Sequence, residues 1–168
     1  VIDETSSLNY HLKSLDPQSD NLSNYLSWMK DTKNNRFIES ANNQFTHQDL
    51  VSYVDNKNKS DNAILFGIFS KLDGFHIGNV KLEPLVIGQF AWLGILIGEE
   101  KFRGRGTGFE VISHLLHFSR RNLDLKKIYL GVHKDNVPAV KLYKKLGFIE
   151  IPSDSGKFNS ICMRFDFI

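Results

Sequence analysis

Between residues 103 and 108 the chain reads Arg-Gly-Arg-Gly-Thr-Gly, with glycine at every second position, Gly104, Gly106 and Gly108. Without Cβ atoms in the way, consecutive backbone amides can turn toward a common point. A helix beginning there adds the unpaired amides of its first turn and the positive end of its dipole. Arg103 and Arg105 add charge on either side, and Thr107 lies within the turn. Such a stretch suits an anion, pyrophosphate above all. The plainer account is a tight connection with solvated arginines.

Spacing separates the phosphate-binding schemes. A triphosphate loop requires Lys and then Ser or Thr after its last glycine, but Gly108 is followed by Phe109 and Glu110. A dinucleotide fingerprint requires Gly-x-Gly-x-x-Gly directly behind a first strand, whereas the spacing here is Gly-x-Gly-x-Gly, late in the chain. A nicotinamide-dependent oxidoreductase is therefore a minor alternative.

The surrounding elements must position this turn. Phe90 to Ile97 is a nearly continuous apolar run, as expected of a strand covered on both faces. After the glycines, Val111, Ile112, Leu115 and Leu116 trace one helix face to about Asn122, and Lys127 to His133 forms the next strand. A helix between them allows the two strands to lie parallel as a right-handed crossover. Asn136, with Pro138 two positions on, opens a short helix that Gly147 closes. Phe148 to Ile151 and Ser160 to Phe167 are expected to form a closing antiparallel pair.

Upstream, Leu8, Tyr10 and Leu12 alternate as in a half-buried strand. From a cap at Ser19 or Asp20, Leu22, Tyr25, Leu26 and Met29 predict a first helix ending near Lys30, before Asn34-Asn35 interrupts the pattern. Thr46 to Asp49 resembles a capping box ahead of a second helix. Asn62 to Ser70 and Phe75 to Leu82 should pair as a hairpin around Asp73-Gly74.

The remaining pattern, Arg-x-x-Gly-x-Gly at Arg103, Gly106 and Gly108, resembles the signature of the Gcn5-related N-acetyltransferases. A second motif of that family is matched by Asn136-Val137-Pro138-Ala139 through Leu142-Tyr143 to Gly147-Phe148. The resemblance is firm over about residues 90–150 and looser elsewhere. It implies an α+β acyl-CoA N-acyltransferase (GNAT) fold: a mixed, mostly antiparallel twisted sheet with a central splayed parallel strand pair, flanked by helices. It implies one domain over 1–168, with 1–85 mainly on the acceptor side and 90–150 as the acetyl-CoA-binding core. Acetyl-CoA would be the cosubstrate, with no metal. Backbone groups of Ile97 and Gly98 would pair with the pantetheine arm, the amides of Arg103 to Gly108 would receive the pyrophosphate, and Asn136 would contact the pantetheine.

Acetyl transfer to an amine requires a neutral nucleophile, a polarised thioester and a proton for the departing thiolate. Tyr143 follows Asn136 by about two helical turns on the same face, and the resemblance implies the acid role for it. A core tyrosine is the alternative. Glu83 and His76 are the candidate bases, while Glu99 and Glu100 read as solvated acids. Lys141, Lys144 and Lys145 could meet the 3′-phosphate, although a solvated helix face explains them more simply. Trp28, Phe37, Glu39 and Phe45 could touch the acceptor, although core packing explains each aromatic better.

A looser likeness points to the branch containing ribosomal-protein, spermidine and amino-sugar acetyltransferases. The expected acceptor is a small-molecule amine, a nucleotide-linked amino sugar foremost. A protein N-terminus, a polyamine, or a non-catalytic acyl-CoA sensor are the alternatives. The 21 basic and 19 acidic residues are interleaved, giving a net charge of +2 and no face built for nucleic acid. One cysteine, no signal-like start and no long apolar run favour a cytoplasmic chain without a membrane span. The first residue is Val, so the true start is expected upstream. Monomer and homodimer are both compatible with the sequence.

Overall fold

Apolar residues recur at every second position in the strands and at helical spacing in the helices, and the computed structural model brings these faces together in a mixed sheet. It describes residues 4–18, 22–32, 37, 45–152 and 159–168. The caps expected at Ser19 or Asp20, the Asn34-Asn35 break and Glu39 lie outside the described residues.

In chain order the elements are β1 (Glu4–Ser6), β2 (Tyr10–Ser14), α1 (Ser23–Lys30), α2 (His47–Asn58), β3 (Ile64–Ser70), β4 (His76–Val86) and β5 (Phe90–Ile97). A 3-10 turn at Glu100–Phe102 leads to α3 (Thr107–Leu123), β6 (Lys127–His133), α4 (Val137–Lys145), β7 (Ile149–Ile151) and β8 (Ser160–Asp166). The sheet order is β1-β2-β3-β4-β5-β6-β8-β7. Of the described pairings, only β5 with β6 is parallel.

Local chemistry fixes several boundaries as the sequence predicts. Thr46 Oγ1 accepts from the Asp49 amide and the Asp49 carboxylate accepts from the Thr46 amide, so the capping box opens α2. Gly74 holds φ +71° in the β3–β4 turn, and its amide donates to the Ser70 carbonyl at 2.8 Å. Three boundaries differ. The strand expected from Leu8 runs instead over Tyr10–Ser14, because Leu8 occupies the turn after β1 and is exposed. The polar strand β1 has no apolar alternation to announce it. β4 continues past Leu82 to Val86, absorbing a register shift between Leu82 and Leu85.

The main core lies between the sheet and helices α3 and α4, with Ile112, Leu115, Ile128 and Phe66 sealed from solvent. Each such side chain contributes roughly 1.5–3 kcal/mol relative to exposure. A second cluster under α1 and α2 joins Tyr25, Trp28, Leu50 and Val54 to Leu65 on β3. The parallel pair is short. Phe90, Ala91 and Trp92 match Lys127, Ile128 and Tyr129, after which β5 and β6 part.

Candidate active site

The parting of β5 and β6 opens a cavity of about 1150 Å³ that reaches from the glycine turn and α4 to the aromatic side chains of α1 and α2. Its construction begins at the turn. Gly104 and Gly106 hold φ +68° and +86°, a region that side-chain-bearing residues adopt at a cost, and an added Cβ at either would meet nothing within 4 Å. Gly106 is the N-cap of α3, so no side chain covers the first-turn amides. The first helical bond runs from the Glu110 amide to the Gly106 carbonyl. The amides of Gly106, Thr107, Gly108 and Phe109 precede it and are left for a ligand.

Thr107 anchors this turn. Its buried hydroxyl donates to the Phe102 carbonyl at 2.7 Å and meets the Tyr10 hydroxyl at 2.9 Å. Gly108 serves packing: a Cβ there would come within 3.0 Å of Leu142, so its absence lets α3 start close against α4. Arg105 is exposed. Arg103 turns back on the strand, donating from Nε to the Ile97 carbonyl at 2.8 Å and from Nη2 to the Gly98 carbonyl at 2.6 Å.

These contacts divide Ile97 from Gly98. The Gly98 amide donates to the Ile77 carbonyl at 2.9 Å, and its carbonyl is taken by Arg103. Both backbone groups of Gly98 are thus engaged within the chain. Ile97 is paired opposite Gly78, and the alternation of an antiparallel ladder turns its N–H and C=O away from β4, the C=O being taken by Arg103 and the N–H left facing the gap. Ile95 faces the same way. Gly98 has another reason to be glycine: a Cβ there would fall 2.0–2.5 Å from the Trp28 indole, whose Nε1 donates to Glu99 at 3.0 Å.

Asn136 and Tyr143 both line the cavity. Asn136 caps α4 through its Oδ1, which accepts from the Ala139 amide at 3.4 Å, and its side-chain amide remains available. Tyr143 is 9% exposed, rests edge-on against Phe148, and burial pushes its phenol up to about 12. It therefore keeps its proton at neutral pH.

The two expected bases lie elsewhere. Glu83 does not line the cavity; Lys57 and Lys81 both bind it. Burial raises its carboxyl, but the hydrogen bond from Lys57 and the charge of Lys81 prevail and hold it below the usual range. His76 is enclosed by Tyr25, Trp28 and Phe69, and its Nε2 meets Asn79 Oδ1 at 2.9 Å. Phe37 and Phe45 line the cavity, and Trp28 packs behind it. Lys145 lines the turn end beside Phe109, whereas Lys141 and Lys144 are exposed. Sequence reasoning passed over Asn79, Lys81, Gly94 and Gly131, which also line the cavity. Their signal is strand alternation, which places them on the cavity face only once β4, β5 and β6 are known neighbours. Among the described residues, no group of three His, Cys, Asp or Glu is placed to hold a metal ion, and no helix is long and apolar enough to cross a membrane.

A glycine turn feeding unpaired helix amides beside a splayed parallel pair coincides with what comparison shows. Residues 12–149 match the family model of the acetyltransferase (GNAT) domain. The chain belongs to the GNAT acetyltransferases. It is 33% identical over 130 residues to the spermidine N(1)-acetyltransferase of Vibrio cholerae, covering 68% of this chain and 73% of that one. Over 153 residues it is 26% identical to an N-acetyltransferase 9-like protein of Caenorhabditis briggsae, covering 83% and 74% of the two chains. The fold is that of the crystal structure of Vibrio cholerae spermidine N-acetyltransferase in complex with CoA and spermine, with TM-score 0.80, 22% identity and 93% of each chain covered. This GNAT chain is accordingly an acetyl-CoA-dependent N-acetyltransferase.

Proposed function

We propose that this enzyme moves the acetyl group of acetyl-CoA to the primary amine of a small molecule, a nucleotide-linked amino sugar foremost, by direct attack with Tyr143 as general acid. The observation that carries the reading is the continuous cavity joining the uncapped α3 amides to the acceptor side, with the Tyr143 phenol along it.

In this reading the amides at the start of α3 receive the pyrophosphate, and the gap-facing N–H of Ile97 pairs with the pantetheine arm. The Asn136 side-chain amide steadies the same arm. The neutral amine nitrogen attacks the thioester carbonyl, a C–N bond forms, and the C–S bond breaks. The Tyr143 hydroxyl gives its proton to the departing sulfur, and the proton lost by the amine nitrogen passes to solvent, from which the phenolate is restored. With Glu83 held by two lysines and His76 enclosed by rings, an amine arriving neutral needs no side-chain base. Residues 1–85 mainly furnish the acceptor side and 90–150 the acetyl-CoA core.

Tyr143→Phe is the test. The variant should bind acetyl-CoA as the native chain does, while thiol release with an accepted amine falls by about 10²-fold or more, the usual contribution of a positioned acid. Undiminished release would remove Tyr143 from the chemistry.

A further inference from the structure

The acceptor half of the cavity has a floor without side chains. Ala91 and Leu93 of β5, and Ile128, Leu130 and Val132 of β6, enter the main core. Alternation therefore sends Trp92, Gly94, Tyr129 and Gly131 to the opposite face. The Trp92 and Tyr129 rings stack there, 5.6 Å apart at 22°, on the last paired residues of the two strands. One step further along each strand come Gly94 and Gly131, both lining the cavity. A Cβ at Gly131 would meet nothing within 4 Å, and the nearest atoms to one at Gly94 would be the Lys81 methylenes, at 3.3 Å.

The wall beside this floor is polar and cationic. On β4, Lys81 pairs with Gly94, and Asn79 with Leu96. Asn79 is 4% exposed; its Oδ1 is occupied by His76, and its Nδ2 has no hydrogen-bond partner among the described residues. A buried amide donor left unmatched is costly and points to a ligand acceptor atom. Lys81 shares Glu83 with Lys57, so two ammonium groups stand against one carboxylate. No Asp or Glu occurs among the described lining residues.

We infer that the Gly94–Gly131 floor is the acceptor subsite and selects an amine carried on a ring that bears a phosphate group. The ring lies on the bare strands with the stacked Trp92–Tyr129 pair at its base, Asn79 Nδ2 donates to a ring or hydroxyl oxygen, and Lys81 holds the phosphate. The inference rests on the acetyltransferase reading above and deepens it. A polyamine would face the Lys81 ammonium, and the nearby Glu83 carboxylate is already bound by both Lys81 and Lys57.

Calorimetric titration of the full chain tests this, with CoA present and absent. Glucosamine 6-phosphate and uridine-diphosphate-glucosamine present the phosphate as a monoester or a nucleotide diphosphate, and spermidine is the polycation. At least one phosphate probe should bind about tenfold or more tightly than spermidine. Gly131→Val places a strand-favoured side chain in open space, and should weaken that probe by about tenfold while CoA affinity stays within about twofold. Lys81→Gln should weaken the phosphate probe and not unphosphorylated glucosamine. Should the valine variant fail to fold, Gly131→Ala gives the same readout with a smaller side chain. Tighter binding of spermidine, or phosphate-probe affinity that survives substitution at Gly131, overturns the inference. A native chain that binds no CoA overturns the acetyl-CoA reading instead, and the titration without CoA still judges the subsite.

Discussion

The Arg103 guanidinium grips the Gly98 carbonyl at 2.6 Å and the preceding Ile97 carbonyl at 2.8 Å, tying the glycine turn to the end of the strand that borders the gap. The signature arginine thus acts through backbone geometry as well as charge. Lysine is a point charge on a flexible stem and cannot span two carbonyls as a planar fork does. Arg103→Lys should therefore weaken acetyl-CoA binding by about fivefold to tenfold, on the scale of one charge-assisted hydrogen bond. Calorimetric titration with acetyl-CoA measures it.

Gly98 and Trp28 make a steric pair that unfolding experiments can read. A methyl at residue 98 would lie 2.0–2.5 Å from the indole, so Gly98→Ala must displace α1 or the end of β5. The expected cost is about 1–3 kcal/mol, as for other overpacked sites. Trp28→Phe in the same chain should recover part of that loss, giving a non-zero coupling in a double-mutant cycle by urea unfolding.

Gly106 isolates conformation from contact. A side chain there would touch nothing, yet φ is +86°. Gly106→Ala should lose about 1–2 kcal/mol through the left-handed backbone alone. If the turn relaxes to relieve it, the α3 amides lose their common aim. Acetyl-CoA affinity should then fall by about tenfold, in proportion to that energy.

The pH response of Tyr143 follows from burial. Its folded pKa, about 12, lies above the ordinary 10.0, so the folded chain holds the proton more firmly than the unfolded one. That stabilisation is complete below pH 10.0 and is lost as pH rises toward about 12. Turnover should show no alkaline limb from this phenol between neutrality and pH 10.0, and Tyr143→Phe should flatten the loss of stability above it. A pH–rate profile and thermal melts across the range check both.

The tyrosine linking β2 to the turn gives a subtler effect. Tyr10→Phe removes the hydroxyl that meets Thr107 Oγ1, leaving the bond from Thr107 to Phe102 in place. A lost neutral hydrogen bond of about 1 kcal/mol predicts a roughly fivefold rise in the KM for acetyl-CoA with kcat little changed.

Much of this was legible in the sequence because the responsible interactions are local. Phe90–Ile97 and Lys127–His133 emerge with the expected bounds, but the expectation that Phe90–Ile97 is covered on both faces fails: burial alternates along both strands, because only the face toward α3 and α4 is packed and the other opens to the cavity. Thr46 and Asn136 announce their helices because a cap involves only the next three residues. What stayed hidden depends on neighbours distant in sequence. Nothing near Gly98 reveals that an indole seventy residues earlier needs the space, and nothing near Glu83 reveals the reach of Lys57 across from α2. The bareness of Gly94 and Gly131 acquires meaning only when two strands separated by a whole helix lie side by side.

The early parting of β5 and β6 has a spectroscopic consequence. Past Trp92 and Tyr129, these two strands lie mid-sheet yet face each other without a ladder, so the gap-facing amides of Ile95 and Ile97 behave like those of a frayed outer edge. Transferred to heavy water, they should take up deuterium far sooner than their sequence neighbours bonded to β4. If, as proposed, a pantetheine arm completes the missing ladder, isotope uptake at those few positions becomes a clock for its arrival and departure.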